Sequence, residues 1–231
     1  MRLLVIDTSG PVCGVAVMED EKVLCEYTAQ NRNTHSANLM PMTEAALASA
    51  GLDVRDLDAV AAVTGPGSFT GVRIGVATAK GLAHGAGIPC IAVDALESLS
   101  LSAGGFDGVI CPIQDARAGQ VYGAAFREGE RLLPDEPLKL EEYLEKILPL
   151  GGKFLFLGDG MPVHREKIRE ILGSRAFFAQ AHLNYLRPSA AGLLALRETP
   201  TDYLNLQATY LRPPNAQKNR KLLEAMGMKE E

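Results

Sequence analysis

Leu3-Leu4-Val5-Ile6-Asp7, then Thr8-Ser9-Gly10-Pro11, then Val12-Cys13-Gly14-Val15-Ala16-Val17, is the stretch on which the fold turns. The first apolar run has no polar interruption, the mark of a strand buried on both faces. The next four residues carry turn chemistry, and the second apolar run reads as the returning strand. Glu19-Asp20-Glu21 makes another turn before a strand over 23–28, so the chain opens as an antiparallel meander. The opening then recurs. Val109-Ile110-Cys111-Pro112-Ile113-Gln114-Asp115 ends in aspartate as 3–7 does, and Gln120-Val121-Tyr122-Gly123-Ala124-Ala125-Phe126 returns with a glycine in it. Two copies of one hairpin predict an α/β protein of two related lobes, with the boundary at Gly104-Gly105. The expected division is 1–103, 104–212, and a mobile tail 213–231 carrying Lys218, Arg220 and Lys221.

Between the hairpins the period changes. From Thr34, an N-cap residue type, Leu39, Met42, Ala46 and Ala50 recur at helical spacing until Gly51. Residues 59–63 read as a buried strand, 70–86 as a helix of small residues and 88–93 as a short strand, with Asp94 capping a helix through 101. In the second half 140–148, 163–172 and 188–198 read as helices, and 153–157 as a strand ending in Gly158-Asp159-Gly160.

A net charge of -5 and a pI near 5.5 give no global attraction to nucleic acid or an anionic membrane. If RNA is involved, contact with it is expected to be indirect, through a partner that supplies the phosphate contacts. The apolar run at the N-terminus stops at Asp7, too short for a signal peptide, and no later stretch could span a bilayer. Cys13, Cys25, Cys90 and Cys111 lie far apart, as thiols in a reducing cytoplasm would.

Two stretches could carry chemistry. Asp7-Thr8-Ser9 ends a buried strand, where backbone N–H and hydroxyl groups can cradle a phosphate and the carboxylate can hold a metal through water; the same residues also make a plain turn. Thr64-Gly65-Pro66-Gly67-Ser68-Phe69-Thr70-Gly71-Val72-Arg73-Ile74-Gly75 is the most distinctive segment. Its glycines allow close approach of the backbone to a ligand or another segment, and Ser68 or Thr70 can cap the helix that follows. It lacks the Gly-Lys-Ser/Thr of a Walker loop. Gly71, Gly75 and Ala79 recur every four residues and leave a groove that suits either a partner helix or packing inside the same lobe. His35, His84, His164 and His182 have no companion at metal-ligand spacing.

Taken together, Val5-Ile6-Asp7-Thr8-Ser9, His35 at a helix start and the segment 64–75 resemble the TsaB (YeaZ) family, over residues 1 to about 100 and more weakly to Tyr210-Leu211-Arg212. The resemblance implies an actin-like ATPase (ASKHA, ribonuclease H-like) fold. It implies a non-catalytic scaffold for making N6-threonylcarbamoyladenosine at position 37 of tRNAs that read codons beginning with A. The implied partners are the catalytic TsaD subunit, the TsaE ATPase through the complex, and a second copy of the chain when it is alone. The catalytic relative holds a metal with two histidines four residues apart; Ala95 and Leu99 fall at those places here, so no metal is expected. No cofactor is required, although Asp7, Thr8 and Ser9 are expected to survive as a vestigial phosphate loop with weak affinity for adenine nucleotide. The implied docking surface lies on the first two helices, at His35, Leu39, Met42, Thr43, Ala46, Thr70, Gly71, Val72, Arg73, Gly75 and Ala79. The rival reading is an actin-fold ATPase or small-molecule kinase using Asp7 with Asp115 or Asp159. A metalloprotease is remote without the ligand pair.

Overall fold

The computed structural model describes residues 1–31 and 34–212, so what was expected of the tail 213–231 lies outside the described residues. Strands β1 (Arg2–Asp7), β2 (Cys13–Glu19) and β3 (Lys22–Ala29) form the antiparallel meander. Helix α1 (His35–Ala50) ends at Gly51, whose φ of 68° is the left-handed C-cap geometry that glycine adopts without strain. Strand β4 (Ala59–Gly65), helix α2 (Phe69–Ala86) and strand β5 (Cys90–Asp94) follow, both strands running parallel to β1. The sheet order is β3-β2-β1-β4-β5.

Helix α3 (Ala95–Leu101) is capped by Asp94, whose carboxylate accepts from Glu97 N at 2.7 Å, as expected. The pattern then repeats through β6 (Val109–Asp115), β7 (Gln120–Arg127), β8 (Glu130–Lys139), α4 (Leu140–Ile147), β9 (Phe154–Leu157), α5 (Gly160–Leu172) and β10 (Ala176–Phe178). The second sheet, β10-β9-β6-β7-β8, has the order of the first with β6 in the place of β1. This doubled topology is the actin-like ATPase fold in two related lobes. The return-strand glycines are nonetheless not equivalent. Gly14 pairs with Asp7, whereas Asp115 pairs with Val121 and Gly123 sits opposite Ile113. Each makes room for a different ring: a Cβ on Gly14 would lie 2.4 Å from Pro188, and one on Gly123 2.7 Å from Tyr143.

Three apolar layers hold the molecule. Leu4, Ile6, Val15 and Val17 on the outer face of the first sheet pack against α1 and α2. Cys111, Ile113, Phe154 and Phe156 do the same beneath α4 and α5. The inner faces of both sheets meet around α3 and α6 (Pro188–Ala195), where Leu3, Val5, Met18, Leu96, Leu99, Phe126, Leu157 and Leu194 form one core. Alternation along each strand therefore sends odd and even positions into different layers.

Helix α6, which follows the second sheet in the chain, packs on the first. Gly192 in this helix lets it settle on β2, since a Cβ there would lie 2.1 Å from Met18 Sδ. Beyond it Thr201 exchanges two backbone hydrogen bonds of 2.8 Å with Cys90, and Thr209 N donates to Thr64 O at 2.7 Å. The inner face of the first sheet is apolar, and the chain crosses back to cover it.

Candidate functional site

A cleft of about 760 Å³ opens where β1 and β6 end facing each other, lined by Ser9, His35, Ser68, Asp115, Arg117, Asp159 and Arg212 among others. In the Asp7-Thr8-Ser9 turn all three residues are buried. Asp7 accepts from Ser9 N at 2.8 Å and from Ser9 Oγ at 2.7 Å. Burial pushes its carboxyl up to about 6, against the pull of those two hydrogen bonds and the nearby charge of His35. Thr8 Oγ1 donates to Gly71 O at 2.7 Å. Both hydroxyl hydrogens are thus given to acceptors inside the lobe, and neither remains for a phosphate oxygen.

From the second lobe Asp159 faces the same space. Burial raises its carboxyl to about 6 as well, although it accepts from Asp115 N at 3.2 Å. Asp115 in turn accepts from Arg117 N at 2.9 Å and pairs with the Arg117 guanidinium at 3.3 Å. Gln114 Oε1 and Asn184 Oδ1 are buried with no hydrogen-bond partner among the described residues, and both residues line a smaller hollow beside Asp7 and Asp159. Neither amide carried a signal in the sequence, since each sits in an otherwise ordinary stretch. Among the described residues no three of His, Cys, Asp or Glu gather as a metal site.

The glycine-proline-glycine segment approaches its own chain. A Cβ on Gly67 would stand 2.3 Å from Ser9 O, and one on Gly65, whose φ is 123°, 2.6 Å from Thr209 O. The loop is clasped between the turn after β1 and the segment 203–212. Ser68 caps α2, its Oγ accepting from Gly71 N at 3.3 Å. Arg73 stacks over the Phe69 ring at 3.9 Å and donates from Nε to Tyr210 at 2.8 Å. Arg212 donates to Ala116 O at 2.6 Å, so this closing segment ties one lobe to the other across the cleft mouth.

The expected docking residues divide. Gly71, Gly75 and Ala79 face inward: a Cβ on Gly71 would fall 2.1 Å from Thr8 O, one on Gly75 2.5 Å from Thr8 Oγ1, and Ala79 is fully buried. Leu39, Thr43, Ala46 and Val72 are buried in the same lobe. His35 is half-buried, with Nε2 3.0 Å from the Gly10 carbonyl, which it can meet only as a donor. Met42 is half-buried against the first-lobe core, while Thr70 and Arg73 are exposed. Helical spacing finds a bare stripe but cannot say which way it points. A second small-residue stripe, Ala77, Gly81 and Gly85, runs along the exposed side of α2, and nothing lies within 4 Å of a Cβ on either glycine. Ala37, Met40, Pro41, Glu44, Ala45 and Ala48 are among the exposed residues of α1.

Comparison with known proteins agrees with this geometry. The family model described as "TsaD: tRNA N6-adenosine threonylcarbamoyltransferase" matches residues 22–219. The tRNA threonylcarbamoyladenosine biosynthesis protein TsaB of Bacillus subtilis (strain 168) is 36% identical over 94% of this chain and 96% of its own. The TsaB of Escherichia coli (strain K12) is 36% identical over 69% of this chain and 72% of its own. A crystal structure from Pseudomonas aeruginosa, of an uncharacterized protein with similarity to peptidase YEAZ, superposes with a TM-score of 0.76 at 26% identity, covering 91% of this chain and 99% of that one. Component A of the Acidaminococcus fermentans (R)-2-hydroxyglutaryl-CoA dehydratase, at 10% identity, a TM-score of 0.51 and coverage of 85% and 98%, shares the fold alone. With the turn after β1, the clasped glycine-proline-glycine segment and the doubled sheet all in place, the chain belongs to the TsaB (YeaZ) family.

Proposed function

We propose that this chain takes part in making threonylcarbamoyladenosine in tRNA as a non-catalytic scaffold. It acts at position 37 of tRNAs reading codons that begin with A, by holding the catalytic TsaD subunit, with TsaE joining through the complex. The observation that carries the reading is α3. The two places where the catalytic relative is expected to ligate its metal are Ala95 and Leu99, and both lie sealed in the apolar core between the sheets. The spent hydroxyls of Thr8 and Ser9 support the same reading, since they weaken the case for a phosphate-transferring loop. Its partner would rest on the outer face of α1 and α2, along Met40, Ala77, Gly81 and Gly85, where bare backbone lets another helix come close. The same face would serve a homodimer when the chain is alone. The work needs no cofactor of its own and belongs in the cytoplasm; no helix among the described residues is long and apolar enough to cross a membrane.

Ala77→Arg with Gly81→Arg, placed on the exposed side, should abolish co-purification with the catalytic subunit and with it tRNA modification, while the chain's own melting curve is kept. Full modification supported by a variant that no longer associates would overturn the scaffold reading. ATP turnover by the isolated chain, lost in Asp7→Ala, would favour the kinase or ATPase instead.

A further inference from the structure

Helix α5 and the turn after it carry an arginine cluster that no part of the proposed scaffold role uses. Arg165 and Arg169 lie one helical turn apart, with their guanidinium carbons 4.8 and 5.3 Å from the centre of the Phe178 ring. Arg175 stands 5.8 Å from the centre of the Phe154 ring, and Phe154 pairs with Ala176 across β9 and β10. All three arginines are exposed, and none has an ion pair or hydrogen bond among the described residues. By contrast, Arg2, Arg117, Arg131 and Arg187 each meet a carboxylate, while Arg55 and Arg197 are exposed without one among the described residues. The neighbouring Lys167 is paired with Glu170 at 3.7 Å and lies about 160° round the helix from Arg169.

Stacking on an aromatic face orients a guanidinium and leaves its N–H edge free to donate. The ligand that such an edge fits is a phosphate, which it can grip with two parallel hydrogen bonds. Four residues of α-helix rise about 6 Å, comparable to the step between successive phosphates on one nucleic-acid strand. We infer that the Arg165–Arg169–Arg175 face binds the phosphodiester backbone of a folded RNA directly. This rests on the tRNA-modification reading and changes one part of it. The net charge of -5 describes the whole chain and hides a local cationic face at the edge of the second sheet. Contacts of this kind fix register and orientation and carry no base specificity.

The test uses the assembled complex of this chain with its catalytic subunit and a transcribed tRNA, with binding followed by anisotropy from 50 to 200 mM salt. In the triple variant Arg165→Gln, Arg169→Gln, Arg175→Gln, three lost phosphate contacts should flatten the slope of log affinity against log salt by about 2 to 3. Across that salt range the wild-type complex would then weaken roughly 16- to 64-fold more than the variant. The triple lysine variant keeps three charges and should keep the slope, which separates loss of charge from loss of fold. An unchanged slope in the glutamine variant, in a complex that still assembles and modifies tRNA, overturns this inference and leaves the scaffold reading standing. A loss that appears with phosphatidylglycerol vesicles and not with tRNA overturns it too. If the wild-type complex neither assembles nor modifies tRNA, the scaffold reading itself falls.

Discussion

Gly75→Ala and Gly81→Ala should move stability in opposite directions, although both lie in the middle of α2. Alanine improves on glycine in a helix interior by about 1 kcal/mol, because glycine gives up more backbone freedom on folding. At Gly81 nothing lies within 4 Å of the new methyl, so most of that gain should survive, about 0.5 to 1 kcal/mol. At Gly75 the methyl would stand 2.5 Å from Thr8 Oγ1, a buried hydroxyl held by its bond to Gly71 O. Crowding of a packed interior costs about 1 to 3 kcal/mol, and displacing Thr8 forfeits a hydrogen bond worth about 1 more. The net loss is roughly 1 to 3 kcal/mol. For a chain of this length Tm should fall by roughly 2 to 12 °C for Gly75→Ala and rise by about 1 to 4 °C for Gly81→Ala. Urea and thermal melts at two protein concentrations measure this and separate any dimer contribution. Equal destabilisation by both, or a stabilised Gly75→Ala, would mean that the 71/75/79 stripe is not the one facing the sheet.

Other perturbations read different parts of the molecule. The Asp7 carboxyl is raised from 3.8 to about 6 by burial, so folding binds a proton there more tightly than the unfolded chain does. Stability from this group is therefore intact below about pH 4, is lost as pH rises to about 6, and stays lost above. Asp7→Asn, which can still accept from Ser9, should match the wild type near pH 4 and exceed it by about 2 to 3 kcal/mol at pH 7.5, as seen in urea midpoints at both pH values. Glu26→Ala should cost about 1 to 2 kcal/mol by chemical denaturation, because its carboxylate accepts from Arg187 at 3.0 Å and from Ser189 Oγ at 3.1 Å and so ties α6 to the first sheet. Arg73→Ala removes the stack on Phe69 and the bond to Tyr210, and should speed protease cleavage within 203–212 severalfold at a cost of about 1 kcal/mol.

Strand β8 shows where sequence reading stopped short. Its Pro134 and Pro137 argue against a strand, yet both are tolerated because β8 is the edge of its sheet and proline there breaks no ladder on the solvent side. Strand β10 has only Ala176, Phe177 and Phe178, too few residues for alternation to be seen. In the site, the distinctive segment 64–75 stood out at once, but its glycines could have served a ligand as well as the turn and strap that they touch.

What the sequence determined by itself was local and periodic. It set the two hairpins whose first strands end in Asp7 and Asp115, the cap at Asp94, the helix stop at Gly51 and the duplication that makes two lobes, because each depends on residues close together in the chain. Only the tertiary structure decided that 71/75/79 turns inward while 77/81/85 stays bare, that α6 leaves the second lobe to cover the first sheet, and that Arg165, Arg169 and Arg175 converge on two rings. These are choices among faces of similar composition. They are settled by which apolar surface must be buried against which other, and residues far apart in the chain supply that surface.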